Sequence, residues 1–241
     1  MIFSDKSHDC DSAKDVWMAL YDIIYQDKFG DMLNFTIKSD KGTSDRCKRW
    51  YIKIDADKQP ALRKRFPTFK MAGDCIFNFN HKKIKLFREI IGEQENELLA
   101  MCQDHHHSLV NFSFMPITGG LNNTKGTLRC ENGIEKKSFD RPDVLIAELE
   151  KFYKGVPARV FRNTNREALE WYLNLFAERG IAGYCKDIYL FDDEDMLQRF
   201  LKLAKGPISD SDTAIEYMEL ARDYWKMKET KLMEYGITNF Y

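Results

Sequence analysis

The sequence has no run of apolar residues close to the roughly 20 that a membrane-spanning helix requires. Residues 1–15 are polar and lack both the basic start and the apolar core of a secretory signal. The six cysteines are scattered without a C-x-x-C pair, which argues against a zinc ribbon or a redox motif and favours free, mostly buried thiols. These absences predict a cytoplasmic protein that contacts no membrane.

The known catalytic signatures are missing as well. The sequence contains no G-x-S-x-G elbow, no H-E-x-x-H zinc motif and no protein-kinase motif set. Its glycine-rich stretch at residues 118–126 matches neither G-x-x-x-x-G-K-[ST] nor G-x-G-x-x-G. The sequence therefore identifies no reaction and no cofactor, and it leaves open whether the protein is an enzyme.

The chain as a whole also has no excess of charge of either sign. The 37 Lys and Arg residues nearly balance the 38 Asp and Glu residues, so the formal net charge is −1. Binding to nucleic acid or to an anionic surface would need a local basic patch. Hydrophobic residues make up 44% of the 241 residues, which is enough for a core. We therefore predict a soluble globular protein.

The hydrophobic pattern of the first half predicts a small sheet with a covering helix. Alternation with period two predicts three strands, and an apolar segment predicts a fourth, buried one. The predicted strands are residues 33–37, 50–54, 75–79 and 109–117. Helical spacing predicts a covering helix at residues 12–28 and one or two helices in residues 85–103, with Gly92 as the break.

The second half is predicted to be helical. Asp140 is the expected N-cap of a helix that begins at Pro142 and ends before Gly155. Further helices are predicted at residues 165–179, 192–205 and 210–235. The fold class is therefore α+β: a small N-terminal sheet, mixed or antiparallel, packed on a C-terminal helical subdomain. We expect one domain over residues 1–241, with any seam near residues 139–143, between 1–139 and 140–241.

The loop of residues 118–126 carries the strongest chemical signal. Glycines let backbone N–H groups approach a ligand, and successive N–H groups beside a lysine suit a phosphate. The candidate ligand-binding residues are Asn111, Thr118, Gly119, Gly120, Asn122, Lys125 and Arg141. This predicts a phosphate-containing ligand, either a nucleotide or a nucleic acid. The alternative is a structural turn that uses glycine and asparagine where positive φ is needed.

Arg141 is a cation in the first turn of a predicted helix, where the helix dipole disfavours positive charge. A bidentate contact with Asp143, or with a carboxylate across the seam, would explain it, and so would a ligand phosphate.

Three of the five histidines are consecutive, at residues 105–107. In an extended segment His105 and His107 share one face, which suits proton transfer, or metal binding with an acidic partner such as Asp104 or Asp143. At a helix end the three side chains fan out and instead favour the negative C-terminus. A histidine-dependent metal-binding protein is thus one alternative function, and capping with hydrogen bonding is another explanation of the run.

Two further patterns have both a structural and a functional explanation. Basic residues mix with aromatic ones at residues 46–53 and 63–66, which suits single-stranded nucleic acid or a solvated face. The aromatic residues of the helix predicted at 210–235 suit a core, a protein partner or a homodimer. Contact with a protein partner or a second copy gives a second function hypothesis, a non-enzymatic interaction module of a mobile element or phage.

The stretch from Asn111 to Asp143 contains the pattern N-F-x-x-M-P-x-T-G-G-L-N-x-x-K-G, followed by D-R-x-D. In this pattern the chain resembles a family of uncharacterised bacterial proteins. The resemblance extends through the C-terminal half, and it implies a bacterial or phage-associated origin and a self-contained domain. It implies no reaction, cofactor or catalytic residue.

Overall fold

The structure is a computed structural model that describes residues 20–21, 33–39, 48–54, 60–66, 69–92, 97–117, 124–128, 140–162 and 165–238. It confirms the α+β class, with a small antiparallel sheet and a mainly helical C-terminal part. Of the helix predicted at residues 12–28, only Leu20 and Tyr21 belong to the described part, and both are buried.

The sheet has four strands in the described residues, and each strand pairs antiparallel with the next one in sequence. They are β1 (Leu33–Ser39), β2 (Lys48–Ile54), β3 (Lys70–Cys75) and β4 (Phe112–Ile117). The strands predicted at residues 33–37 and 50–54 are confirmed. In the register of β3 with β4, Asp74 lies opposite Ser113 and Cys75 opposite Phe112.

Two strand predictions need correction. The third strand ends at Cys75, where residues 75–79 were predicted to be strand. The fourth begins at Phe112, because Leu109–Asn111 form a turn of 3-10 helix. Both errors lie where the backbone leaves the ladder while its apolar side chains stay in the core.

The helices are α1 (Pro60–Arg65), α2 (His81–Ile91), α3 (Glu97–Asp104), α4 (Thr124–Thr127), α5 (Pro142–Tyr153), α6 (Arg166–Asn174), α7 (Gly180–Tyr184), α8 (Glu194–Leu203) and α9 (Ser211–Glu234). A 3-10 turn at Arg159–Phe161 and a π-helix at Cys185–Tyr189 join them. Side chains cap four of these helices: Asn80, Asn165, Asp193 and Asp210 each accept a hydrogen bond from the first turn.

These bounds agree with most of the predicted helices. The break at Gly92 is confirmed, and this residue has a φ of 92°, which suits glycine. The helix predicted at residues 165–179 ends earlier, at Asn174. Asp140 is not the N-cap of α5, because Arg141 occupies that position and makes no side-chain cap bond. Pro142 does begin the helix, as predicted.

The core joins helices from both sides of residue 140. Helix α9 packs on α2, α3 and α8, and α5 packs on α7 and α8. Phe77 lies at the centre, with its ring centroid 5.3 Å from that of Tyr217 and 5.9 Å from that of Trp225. The division into domains stays a prediction. None of the described helices combines the length and the apolar character needed to cross a membrane.

Candidate functional site

The chain between β3 and α2, residues 75–80, is the place where the predicted site residues meet, and we call it the junction segment. Beyond Cys75 it is not part of the sheet, yet Ile76, Phe77 and Phe79 are buried. Buried backbone groups need hydrogen-bond partners. Here the partners are largely side chains from distant parts of the sequence.

Asn111 supplies the partners in the middle of the junction segment. Its Oδ1 accepts a hydrogen bond from the Phe77 N–H at 2.8 Å, and its Nδ2 donates to the Phe77 carbonyl at 2.8 Å. The same amide donates to the carbonyl of His106 at 2.9 Å and accepts from the indole N–H of Trp225 at 3.0 Å. An amide has two donors and two acceptor lone pairs, so these four bonds use its full capacity. Asn111 is fully buried and has no further bond to offer a ligand.

Lys125 supplies the partners at the start of the junction segment. Its ammonium donates to the carbonyls of Cys75 and Ile76. Its Nζ lies 3.4 Å from Oδ2 of Asp74 and 3.6 Å from Oδ2 of Asp140. The lysine side chain is fully enclosed, whereas that of Asp74 is 22% exposed. One positive charge thus lies among two carboxylates, an arrangement that does not attract an anion.

Asp140 and Arg141 lie side by side but contact different partners. Asp140 accepts a hydrogen bond from Nδ2 of Asn78 at 3.1 Å and pairs with Lys125, so it binds the junction segment instead of capping α5. Arg141 forms a bidentate contact with Asp143, and it donates to the carbonyls of Leu203 and Gly206 at the end of α8.

The Asp143 contact confirms the first of the two explanations of Arg141. The pair is buried, and burial raises the pKa of the Asp143 carboxyl although Arg141 opposes this. The carbonyls at the C-terminus of α8 carry partial negative charge, which adds to the attraction for the guanidinium. Arg141 therefore joins α5 to α8.

The histidine run follows α3 at a helix end, so the fanned-out arrangement is the one observed. The ring of His105 stacks on Trp225 at 4.9 Å, and its Nδ1 donates to the Met101 carbonyl at 2.9 Å. His106 is buried, and its Nδ1 accepts a hydrogen bond from the Phe79 N–H at 3.3 Å. His107 is exposed, with its ring 4.2 Å from that of His106. No group of three metal-binding side chains occurs in the described residues.

The structure brings some of the predicted residues together and separates others. Asn111 and Lys125 bind adjacent residues of the junction segment, Phe77 and Ile76. Of the histidine run, His106 meets the same segment at Phe79, three residues or at most about 11 Å of chain from Ile76, whereas His105 contacts Trp225 and the Met101 carbonyl. Arg141 directly follows Asp140, which pairs with Lys125. Four predicted residues lie outside the described part: Thr118, Gly119, Gly120 and Asn122.

Sequence reasoning missed the solvent-accessible members of this cluster. Asp74, Cys75 and Asn78 are partly exposed, and Sγ of Cys75 lies 3.9 Å from Nζ of Lys125. The one available signal was Asp74 itself, an aspartate next to the last residue of the strand. His106 was missed too, since its neighbours His105 and His107 were the ones expected to act together.

Two sequence patterns had both a structural and a functional explanation: the basic and aromatic residues at 46–53 and 63–66, and the aromatic residues of the helix predicted at 210–235. The predicted basic stretch at residues 63–65 forms α1, where Arg65 pairs with Glu167 and lies 5.0 Å from the ring of Phe66. The side chains of residues 46–53 lie outside the described part. On α9, Tyr217, Tyr224 and Trp225 are buried within this chain, which confirms the core explanation for these three.

Comparison of the chain with protein-family models, with curated proteins and with solved structures finds no match in any of the three. The resemblance to uncharacterised bacterial proteins therefore stays a prediction.

One prediction follows from the environment of His105. Burial lowers the pKa of this imidazole, although the Met101 carbonyl and Asp104 act in the opposite direction. An unfolded histidine takes up its proton below about pH 6.5, at a higher pH than the folded one, so stability is lost as the pH falls below about 6.5. In a His105→Phe variant, which keeps a ring on Trp225, we expect a smaller loss between about pH 7.5 and 5.5. Urea unfolding at the two pH values measures this, and equal losses in both proteins would contradict it.

Proposed function

We propose that this chain binds a phosphate-containing ligand, a nucleotide or a nucleic acid, through the backbone of residues 118–126, and that Lys125 is a positioning residue for that loop. The observation that supports the proposal is the enclosed Lys125 ammonium, which joins helix α4 at the end of this stretch to the Cys75 carbonyl at the end of β3. The stretch begins directly after Ile117, the last residue of β4. Residues 124–126, expected to belong to the loop, are therefore helical, and ordered elements lie on both sides of residues 118–123. Chain segments positioned by a rigid scaffold frequently carry binding residues.

The charges of the site decide how the ligand would be held. The positive charges of Lys125 and Arg141 are matched by Asp74, Asp140 and Asp143, so neither side chain is assigned to the phosphate. The attraction would come from backbone N–H groups, whose partial positive charges can form a concave anion site. His106 accepts a hydrogen bond from the Phe79 N–H and His105 donates to the Met101 carbonyl, and the proposal therefore includes no proton transfer.

The proposed location is the cytoplasm. Cys102 and Cys185 are buried free thiols among the described residues, as expected for a reducing compartment. A phosphate-containing ligand is compatible with that location.

The experiment is thermal unfolding with ATP, ADP or inorganic phosphate as the probe. We expect a higher Tm of the wild type in at least one probe and no such shift in a Gly119→Ala/Gly120→Ala variant, whose added methyl groups obstruct the N–H groups. The matched control is Gly206→Ala, because a Cβ there meets nothing within 4 Å. The proposal fails if no probe shifts the wild type, or if the loop variant keeps the full shift.

A second candidate function is contact with a protein partner or a second copy of the chain. It is favoured by Met233 and Tyr235, which lie at the end of α9 and are 49% and 46% exposed. Light scattering tests it: a strict monomer that is unchanged by Met233→Gln/Tyr235→Gln would argue against a homodimer at this end of the helix.

A further inference from the structure

Helix α2 carries an unusual concentration of positive charge. Its 11 residues include Lys82, Lys83, Lys85 and Arg88 but only one acidic residue, Glu89. The chain as a whole has a formal net charge of −1. The chain as a whole therefore has no excess of positive charge, whereas helix α2 has one.

The cations of α2 point outward on one side. Lys82, Lys85 and Arg88 are exposed and follow one another at intervals of three residues, which places them on neighbouring turns. Ile84 and Phe87 are buried and hold the opposite side against the core. Six residues of helix span about 9 Å along the axis, which corresponds to two or three phosphates along one strand of a duplex.

Several other exposed cations of the described chain form ion pairs, whereas these three do not. Lys154 pairs with Glu150, Arg166 with Glu170 and Lys186 with Asp192. For Lys82, Lys85 and Arg88, the described part of the chain offers no carboxylate within 4 Å, so intramolecular ion pairs do not neutralise this face. An unneutralised row of cations on a rigid helix suits a polyanion.

The remaining features of α2 narrow the class of polyanion. The helix N-terminus is occupied, because the side chain of Asn80 accepts from the N–H groups of Lys82 and Lys83, so binding falls to the side chains. The exposed large apolar residues of the described chain are Val156, Met233 and Tyr235, and none of them belongs to α2. An interfacial membrane helix needs such residues to insert among lipids. Nucleic acid needs only the cations, since its phosphate backbone dominates the affinity.

We propose that the outward face of α2, formed by Lys82, Lys85 and Arg88, binds the phosphate backbone of nucleic acid without sequence preference. This inference is independent of the loop at residues 118–126, because it concerns a different surface and rests on side chains.

Fluorescence anisotropy with labelled single-stranded and duplex DNA of unrelated sequences tests the inference. We expect the Lys82→Gln/Lys85→Gln/Arg88→Gln variant to bind at least about tenfold more weakly at low salt. Each phosphate contact contributes roughly 0.9 to the slope of log affinity against log salt for duplex DNA, so the slope should fall by about 3. The matched control, Lys154→Gln/Arg166→Gln/Lys186→Gln, removes the same charge elsewhere and should bind like the wild type.

Several outcomes would overturn the inference. They are no DNA binding by the wild type at low salt, an equal loss in the control variant, and binding to vesicles rich in phosphatidylserine but not to DNA. Circular dichroism checks that both triple variants are folded. The ATP-induced Tm shift is measured on the α2 variant as well, and DNA binding on the Gly119→Ala/Gly120→Ala variant, so that failure at one surface is distinguished from failure at the other.

Discussion

Replacing Lys125 with methionine should lower the free energy of unfolding by about 3–5 kcal/mol, the range typical of a buried ion pair that loses one partner. The methionine fills similar volume but leaves the carboxylate of Asp140, which is 4% exposed, without its cation. It also removes the donor to the carbonyls of Cys75 and Ile76. Urea unfolding followed by circular dichroism measures the change.

The control for this prediction is Lys154→Met. Lys154 is 64% exposed and pairs with Glu150 one helical turn away. A surface pair of this kind contributes less than about 1 kcal/mol, so the control should unfold close to the wild type. If Lys125→Met costs no more than Lys154→Met, the enclosed ammonium does not hold the junction segment as described. An additional Asp140→Asn substitution should recover part of the lost stability, because it removes the negative charge that Lys125 no longer offsets.

Replacing Asn111 with leucine should have an effect of similar size. Leucine has nearly the same shape, but it leaves four buried groups without partners: the N–H and carbonyl of Phe77, the His106 carbonyl and the indole N–H of Trp225. A buried group that loses its partner costs about 1–3 kcal/mol, and with partial relaxation we expect a total near 3–5 kcal/mol.

Two comparisons make this prediction specific to the amide of Asn111. Asn165→Ala removes a side-chain hydrogen bond at the start of α6 and should cost only about 1 kcal/mol, as helix caps do. Asn111→Asp keeps the acceptor but places a carboxylate oxygen against the two carbonyls, so it should also destabilise strongly. An Asn111→Leu protein as stable as the Asn165→Ala protein would show that the amide is not the organiser of this region.

Local pattern was sufficient for β1, β2 and the longer C-terminal helices, whereas the short helices α1, α4 and α7 were not predicted. The alternation at residues 33–37 and 50–54 identified β1 and β2, and an aspartate before an apolar helical run identified the start of α9. The same alternation misassigned residues 75–79. Periodicity reports which side chains are buried, whereas a strand is defined by the partners of its backbone, and here Asn111, Lys125 and His106 take the place of a neighbouring strand.

Ligand binding at the candidate site stays a prediction. Residue type drew attention to Asn111, Lys125 and Arg141, and the structure shows all three to be buried. Arg141 was expected in the first helical turn, whereas it is the N-cap, but the expected position correctly indicated a compensating carboxylate such as Asp143. The interior roles of Asn111 and Lys125 were beyond sequence reasoning, since the backbone groups of the junction segment that they satisfy lie 34 to 50 residues away.

The long sequence separations around the junction segment also bear on how the chain is assembled during translation. The hydrogen bonds of Phe79, Phe77 and Asn78 can form only after His106, Asn111 and Asp140, respectively, have been synthesised. Asp140 follows Asn78 by 62 residues. Trp225, which donates the fourth hydrogen bond to Asn111, follows Asn111 by 114 residues. Closing such long loops costs conformational entropy before the native contacts form, and high contact order correlates with slow folding. The centre of this protein should therefore acquire its native order only after most of the polypeptide has left the ribosome.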